Sequence, residues 1–185
     1  KDFTAVTLIA SSPLVLLVHP SVPVKTAKEL VALARSRPGQ LTFSSAGSGT
    51  AIHLSQELFK SITGINVIHV PYKGGGPSVA ALLGGEVAMS FNTPATIAPH
   101  VKAGKARALA ITGAKRYPGL PDIPTLIESG INGVEADPYW GLVAPTGTPP
   151  AIISRLHDVW AKHINAPEMR LRLIDMGFAP VGNSP

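Results

Sequence analysis

Cysteine is absent from the 185 residues. That removes disulfides, Cys-ligated zinc and thiol catalysis together. Charged residues make up only 15% of the chain, far too few for a disordered, highly charged tail. Aromatic residues are scarce at 5%, and no basic stripe is interleaved with them, so a nucleic-acid surface is not indicated despite an isoelectric point of about 9.7. No apolar run reaches the ~18 residues that a membrane span requires. The longest, "PLVLLVHP", is closed by Pro13 and Pro20 and reads as a buried strand. The first residue is not methionine and no signal peptide is recognisable, which reads as a mature or trimmed chain. Internal repeats and low-complexity tracts are also missing.

What is present is a large apolar fraction, 45%, enough to bury a core. The net charge of +5 is uneven: residues 1–116 carry +8 and residues 117–185 carry −3. A basic half beside a mildly acidic one suits an anionic ligand for the first, although scattered solvated lysines would give the same balance.

Short apolar strands alternate with helical stretches through the first two-thirds. "LVLLV" (14–18) precedes "VKTAKELVALARSRPG", where Ala27, Leu30, Val31 and Ala34 share one face. Thr26 is the expected N-cap, with Glu29 completing a capping box. "LTFS" (41–44) leads to a helix expected from about Ser48, its buried stripe read as Ala51, Leu54, Leu58, Phe59 and Ile62. "INVIHV" (65–70), "EVAMSF" (86–91) and "RALAIT" (107–112) read as strands, separated by helices over 77–85 and 94–104. Five strands with four helical crossovers predict a doubly wound α/β sheet, mainly parallel. The tail differs. "GAKRYPGLPDIPTLIESG" reads as a connection containing one short helix, "YWGLVAP" (139–145) as a strand, and "PPAIISRLHDVWAKHI" and "PEMRLRLIDMGF" as helices, the last capped by Gly177. One strand and these helices cannot make a sheet alone, so the tail is expected to pack on residues 1–12 or on a segment outside the chain.

Chemistry concentrates where strands run into helices. In open α/β sheets ligands bind at the carboxyl ends of strands, and the unpaired N–H groups of a helix's first turn attract anions. "SSAGSGT" (44–50) sits at such a junction: Gly47 and Gly49 allow close backbone approach, and Ser44, Ser45, Ser48 and Thr50 supply hydroxyls. "VPYKGGGPS" (70–78) is a second junction, with Tyr72, Lys73, Gly74 and Gly75. "SFNTPAT" (90–96) is a third, with Asn92, Thr93 and Pro94 at helix position N1. One Gly/Ser loop is no more than a turn and a cap; three donor-rich junctions on consecutive parallel strands would lie along one edge.

Familiar motifs are excluded. G-x-x-x-x-G-K-[ST] does not occur, G-x-G at 47–49 meets Ile52 where a third glycine belongs, and Ser48 has Ala46 and Thr50 where a nucleophile elbow needs glycines. His53 and Glu57 are spaced i, i+4 with no third metal ligand, and read as an exposed pair. His69 and His100 read as hydrogen-bonded scaffold residues, Trp140 and Trp160 as packing anchors, Tyr139 and Trp140 as a cleft border. No catalytic, metal or cofactor residue is assigned. A hydrolase or transferase using Ser45–Thr50 as an oxyanion hole is the competing reading; it would need a base near Ser48, and His53 is the nearest in sequence. A sensor or partner-binding lobe is a third.

The segments "SSAGSGTAIHLSQELFKSITGINVIHVPYKGGGP", "AGKARALAITGAKRYPGLPDIPTLIESG" and "WGLVAPTGTPPAIISRL" give the chain its family likeness. It resembles, over essentially its whole length, the tripartite tricarboxylate transporter substrate-binding proteins, also called the Bug family. The resemblance implies an exported, periplasmic receptor of the type II periplasmic-binding-protein class, without enzymatic activity or cofactor, whose two α/β lobes close on a small carboxylate for delivery to membrane transporter subunits. It implies that Ser45, Ala46, Gly47, Ser48, Gly49, Thr50, Tyr72, Lys73, Gly74, Gly75, Asn92 and Thr93 line one side of the cleft. It also implies that residues 1–13 are a crossing strand, 14–113 the second lobe, and 114–185 the return into an incomplete first lobe, through which copies could self-associate. Asn92 departs from the aspartate of many relatives. A neutral amide does not attract an ammonium group, so a dicarboxylate or aromatic acid is expected over an amino acid.

Overall fold

The computed structural model describes residues 2–134 and 137–183. Its elements are, in order, β1 (Phe3–Ser11), β2 (Val15–Val18), α1 (Ala27–Ser36), β3 (Thr42–Ser45), α2 (Ala51–Thr63), β4 (Ile68–Pro71) and α3 (Gly75–Leu83). They continue with β5 (Met89–Asn92), α4 (Pro94–Lys102), β6 (Arg107–Ile111), β7 (Tyr139–Pro145), α5 (Pro150–Ile164), α6 (Pro167–Asp175) and β8 (Ala179–Pro180). The chain divides into two compact units, Pro13–Asp137 and the pair Lys1–Ser12 with Pro138–Pro185.

The unit Pro13–Asp137 holds a five-stranded sheet in the order β4-β3-β5-β2-β6. β3 runs parallel to both β4 and β5, whereas β2 is antiparallel to β5 and β6. The sheet is therefore mainly parallel, as expected, but its first strand in sequence runs against the other four. Periodicity identifies β2 and cannot give its direction. Leu14 and the successive residues of β2 feed two cores. Leu14, Leu16 and Val18 pack with α1, α2, Phe43, Phe59 and Phe91; Val15 and Leu17 pack with Leu82, Ile97 and Ile111. Burial on both faces explains the unbroken apolar run. Each fully buried large side chain contributes about 1.5–3 kcal/mol.

α1 begins as expected: Thr26 Oγ1 accepts from Glu29 N–H, while the Glu29 carboxylate accepts from Lys25 N–H, one residue before the cap. α2 departs in two ways. Its N-cap is Thr50, not Ser48, since Thr50 Oγ1 accepts from His53 N–H. Its buried face is Ser55, Gln56, Phe59 and Thr63; Leu54 is 58% exposed, and Ala51 and Ile62 are exposed too. The inward donors are bonded: Gln56 Nε2 donates to Ser44 O (2.9 Å), Ser55 Oγ to Ala51 O and Thr63 Oγ1 to Phe59 O, while the buried Gln56 Oε1 has no partner among the described residues. α3 starts at Gly75, two residues before the expected position, and β4 starts at Ile68 rather than residue 65.

The short helix expected after residue 113 is a series of turns. The backbone around Thr125 instead bonds to Ile111, and Leu120, Leu126, Ile131 and Val134 enter the two cores. Residues 114–134 thus pack with the sheet unit, and the division falls after Asp137 instead of at 113.

In the other unit β7 pairs antiparallel with β1, and β8, unforeseen from sequence, adds to β1's opposite edge. α5 packs on β1. Residues 3–11 thus supply the partner that the tail requires. α6 ends at C-cap Met176, with Gly177 following at φ 82°. Among the described residues no helix is long and apolar enough to cross a membrane.

Candidate functional site

Because β4, β3 and β5 are neighbours running in one direction, their three strand-to-helix junctions meet on one sheet edge. The first two touch: Gly74 N–H donates to Ala46 O (3.0 Å) and Tyr72 N–H to Ser45 O (3.0 Å). Gly47 has φ +132°, a conformation L side chains rarely adopt, and a Cβ there would touch Tyr72 O at 3.4 Å, so the loop's course depends on glycine through its backbone angle. The third is tied in below the rim. Asn92 Nδ2 donates to Ser90 Oγ (2.9 Å), Ser90 Oγ to Ser44 O (3.1 Å), and Ser44 Oγ to Ser78 O (3.1 Å). Ser44, Ser78, Ser90 and Asn92 are all buried, forming a polar floor under the edge. Ser44 therefore belongs to this floor and not to the loop. Ser78, Ser90 and Gln56 were not legible as site-supporting residues; the serine doublet at 44–45 and a glutamine inside an apolar helix were the available signals.

The expected donors divide into those already bonded and those free. Gly47 N–H donates to Ser45 Oγ (3.1 Å), Gly49 N–H to His53 Nδ1 (3.2 Å), Thr50 N–H to Gly47 O (3.3 Å) and Gly74 N–H to Ala46 O. Ser45 is fully buried, its hydroxyl 2.6 Å from His69 Nε2, and Thr50 Oγ1 donates to Gly47 O (2.7 Å). These groups build the loop. Among the described residues the N–H groups of Ala46, Ser48, Ala51, Ile52, Lys73, Gly75, Gly76, Thr93 and Ala95 and the Ser48 hydroxyl have no partner. Of the twelve expected residues Ala46, Ser48, Lys73, Gly75 and Thr93 thus keep a free N–H, and the first helical turns add Ala51, Ile52, Gly76 and Ala95. Lys73 is exposed and forms no ion pair among the described residues, while Tyr72 OH donates to Glu86 (3.2 Å). Burial, then the Glu86 carboxylate, pushes the Tyr72 hydroxyl above the ordinary tyrosine range. Thr93 caps α4 without a side-chain bond to its backbone and shares a hydroxyl contact with Thr96 (2.9 Å).

Behind the loop the rings of Phe43, His69 and His53 form a stack. Centroids are 4.7 Å apart for Phe43–His69 and 4.1 Å for His53–His69. Desolvation holds the His69 imidazole below the usual histidine range; His53 and Lys60 act the same way and Glu57 opposes them. His53 faces Glu57 at 3.8 Å, and Lys60 pairs with Glu57 at 2.8 Å. The oxyanion-hole reading fares poorly against this geometry. His53 Nδ1 is engaged by Gly49 N–H, and Ser48 Oγ bonds to no base among the described residues. Among the described residues no three His, Asp or Glu side chains group as a metal site.

The family model described as "Tripartite tricarboxylate transporter family receptor" matches residues 1–185. The chain belongs to that family. A Cupriavidus necator relative, described as "UPF0065 protein in gbd 5'region", is 41% identical over 180 residues, covering 97% of this chain and 54% of its own length. Among solved structures, R. palustris Rpa4515 with adipate is 37% identical with a TM-score of 0.92, covering 100% of this chain and 62% of that one. MatC (Rpa3494) from Rhodopseudomonas palustris with bound malate is 30% identical with a TM-score of 0.88, covering 96% and 60%. The chain spans about half the length of the curated relatives it matches. The family is one of transporter receptors, not of enzymes, and its solved members include periplasmic binding proteins.

Proposed function

We propose that this chain is the ligand-holding portion of a periplasmic solute receptor that captures a small organic carboxylate and passes it to the membrane subunits of a tripartite transporter. The observation that carries the reading is the convergence of three glycine- and hydroxyl-rich junctions on one edge, with the N–H groups of Ser48, Ala51, Gly75 and Gly76 free there. A carboxylate oxygen accepting those hydrogens gains charge-assisted bonds of about 1.5–3 kcal/mol each. Ser45, Ala46, Gly47, Gly49, Thr50, Tyr72 and Gly74 shape the rim from within, Lys73 adds longer-range attraction, Thr93 borders it, and Asn92 lies in the floor beneath. Relatives of the same family solved with adipate and malate point to the same ligand class. Asn92 offers an amide and no charge, which favours a dicarboxylate or aromatic acid over an amino acid. The test is thermal unfolding of the 185-residue chain with adipate, malate, benzoate or aspartate. At a hundred times its dissociation constant a ligand stabilises by about 2.7 kcal/mol. Stabilisation by adipate, malate or benzoate and not by aspartate is expected; a response to aspartate alone would refute the ligand assignment, and no response to any acid the receptor reading.

A further inference from the structure

Gly49 belongs to the rim loop but its N–H is not free: His53 Nδ1 accepts it at 3.2 Å. A neutral imidazole accepts at Nδ1 only when its proton is on Nε2, and Nε2 here faces Glu57 Oε1 at 3.8 Å. An imidazolium carries hydrogen on both nitrogens, so a protonated His53 cannot hold this amide. Beside the amide there is open space, for a Cβ on Gly49 would meet nothing within 4 Å.

We infer that His53 is a positioning residue standing in for the ligand: its imidazole holds the Gly49 amide until a carboxylate oxygen takes that hydrogen, and the displaced ring then binds a proton. This rests on the proposed function above. One N–H···N bond is exchanged for one N–H···O bond, and the proton comes from solvent. The exchange favours the anion, since a charged acceptor makes the stronger hydrogen bond. The groups around His53 suit a ring that gains charge once. Glu57 on α2 faces the ring through Oε1, an oxygen it shares with Lys60, whose ammonium holds both carboxylate oxygens. From β4, His69 stacks at 4.1 Å with its pKa lowered, chiefly by desolvation, and β3 contributes the Phe43 ring, while the Ser45 hydroxyl contacts His69. Two facing imidazolium rings are disfavoured, so one proton and not two accompanies the acid.

The test is heteronuclear NMR on the full 185-residue chain. In ligand-free protein the Gly49 amide resonance should follow the same pH midpoint as the His53 ring resonances. His53→Gln, which keeps an acceptor but cannot titrate, should flatten it. With adipate as probe, affinity should rise as pH falls toward that midpoint, by at most about tenfold per pH unit for one proton, and level off below it. His53→Gln should abolish that slope while its ligand-free spectrum reports the fold. A Gly49 amide indifferent to His53 titration overturns the inference. So does adipate binding at the rim with a slope that His53→Gln leaves unchanged, and in that case the carboxylate reading stands. If Gly49 follows His53 but adipate moves no rim resonance, the carboxylate reading and the exchange fail together.

Discussion

Replacing Gly49 with alanine separates conformational strain from crowding. Gly49 has φ +81°, and a Cβ there meets no atom within 4 Å, so the substitution costs nothing in overlap. The penalty is the left-handed backbone, about 1–2 kcal/mol for an L-residue. If the loop relaxes to escape it, the bond from Gly49 N–H to His53 is lost, about 0.5–1.5 kcal/mol for a neutral pair. The two routes together bracket a destabilisation of about 0.5–2 kcal/mol. That corresponds to a fall in Tm of about 1–8 °C, using about 2–4 °C per kcal/mol for a chain of this size. The control is Gly76→Ala, in the first turn of α3 with open space around it and no left-handed φ. There alanine should be neutral or stabilise by about 0.5–1 kcal/mol. Urea unfolding of both variants decides the matter. Equal stability for Gly49→Ala and wild type, or a larger loss at Gly76, would refute the strain argument and with it the view that the loop conformation is imposed by its glycines.

Phe59→Ala empties a fully buried position whose ring meets Phe91 edge-on at 5.7 Å, and should cost about 3–5 kcal/mol in denaturant unfolding; a loss under 1 would mean that α2 does not seal this core. Arg116→Ala breaks an exposed pair with Glu128 at 2.9 Å and should change stability by no more than about 1 kcal/mol, a larger loss contradicting the exposed geometry. Stability should decline with acid below the ordinary histidine range. The unfolded chain takes up a proton at residue 69 before the folded protein does, because burial depresses the folded His69, so this contribution is present above the ordinary range and lost as pH falls. His69→Gln should flatten that decline in thermal unfolding at a series of pH values, and an unchanged slope would assign the effect elsewhere.

Element positions were largely legible because two strong signals agree in this chain: apolar runs closed by proline or glycine, and amphipathic stretches with caps such as Thr26. The three-junction rim was legible for the same reason, since each junction follows a strand and opens a helix. Strand direction was not. "LVLLV" reads identically whichever way it runs, and only the pairing of Val15 with Asn92 and Ile111 fixes β2 as antiparallel. The phase of α2 was misread because hydropathy ranks Leu54 and Ile62 above Gln56 and Thr63, whereas burial depends on whether a polar group finds a partner inside. The same physics narrowed the site. Sequence shows which residues carry donors, but not that Ser45, Gly49 and Thr50 spend theirs on the loop itself. The extension of the sheet unit to Asp137 was hidden by the prolines of 118–124, which suggest a free connection although Leu120 and Leu126 are buried.

The most direct measurement is a map of backbone amide shifts as adipate is titrated into the 185-residue chain. The largest changes should fall on Ser48, Ala51, Gly75 and Gly76, with Gly49 following as its bond to His53 exchanges. Changes centred on any other part of the sheet unit, with these amides unmoved, would contradict a carboxylate site on the edge shared by β4, β3 and β5.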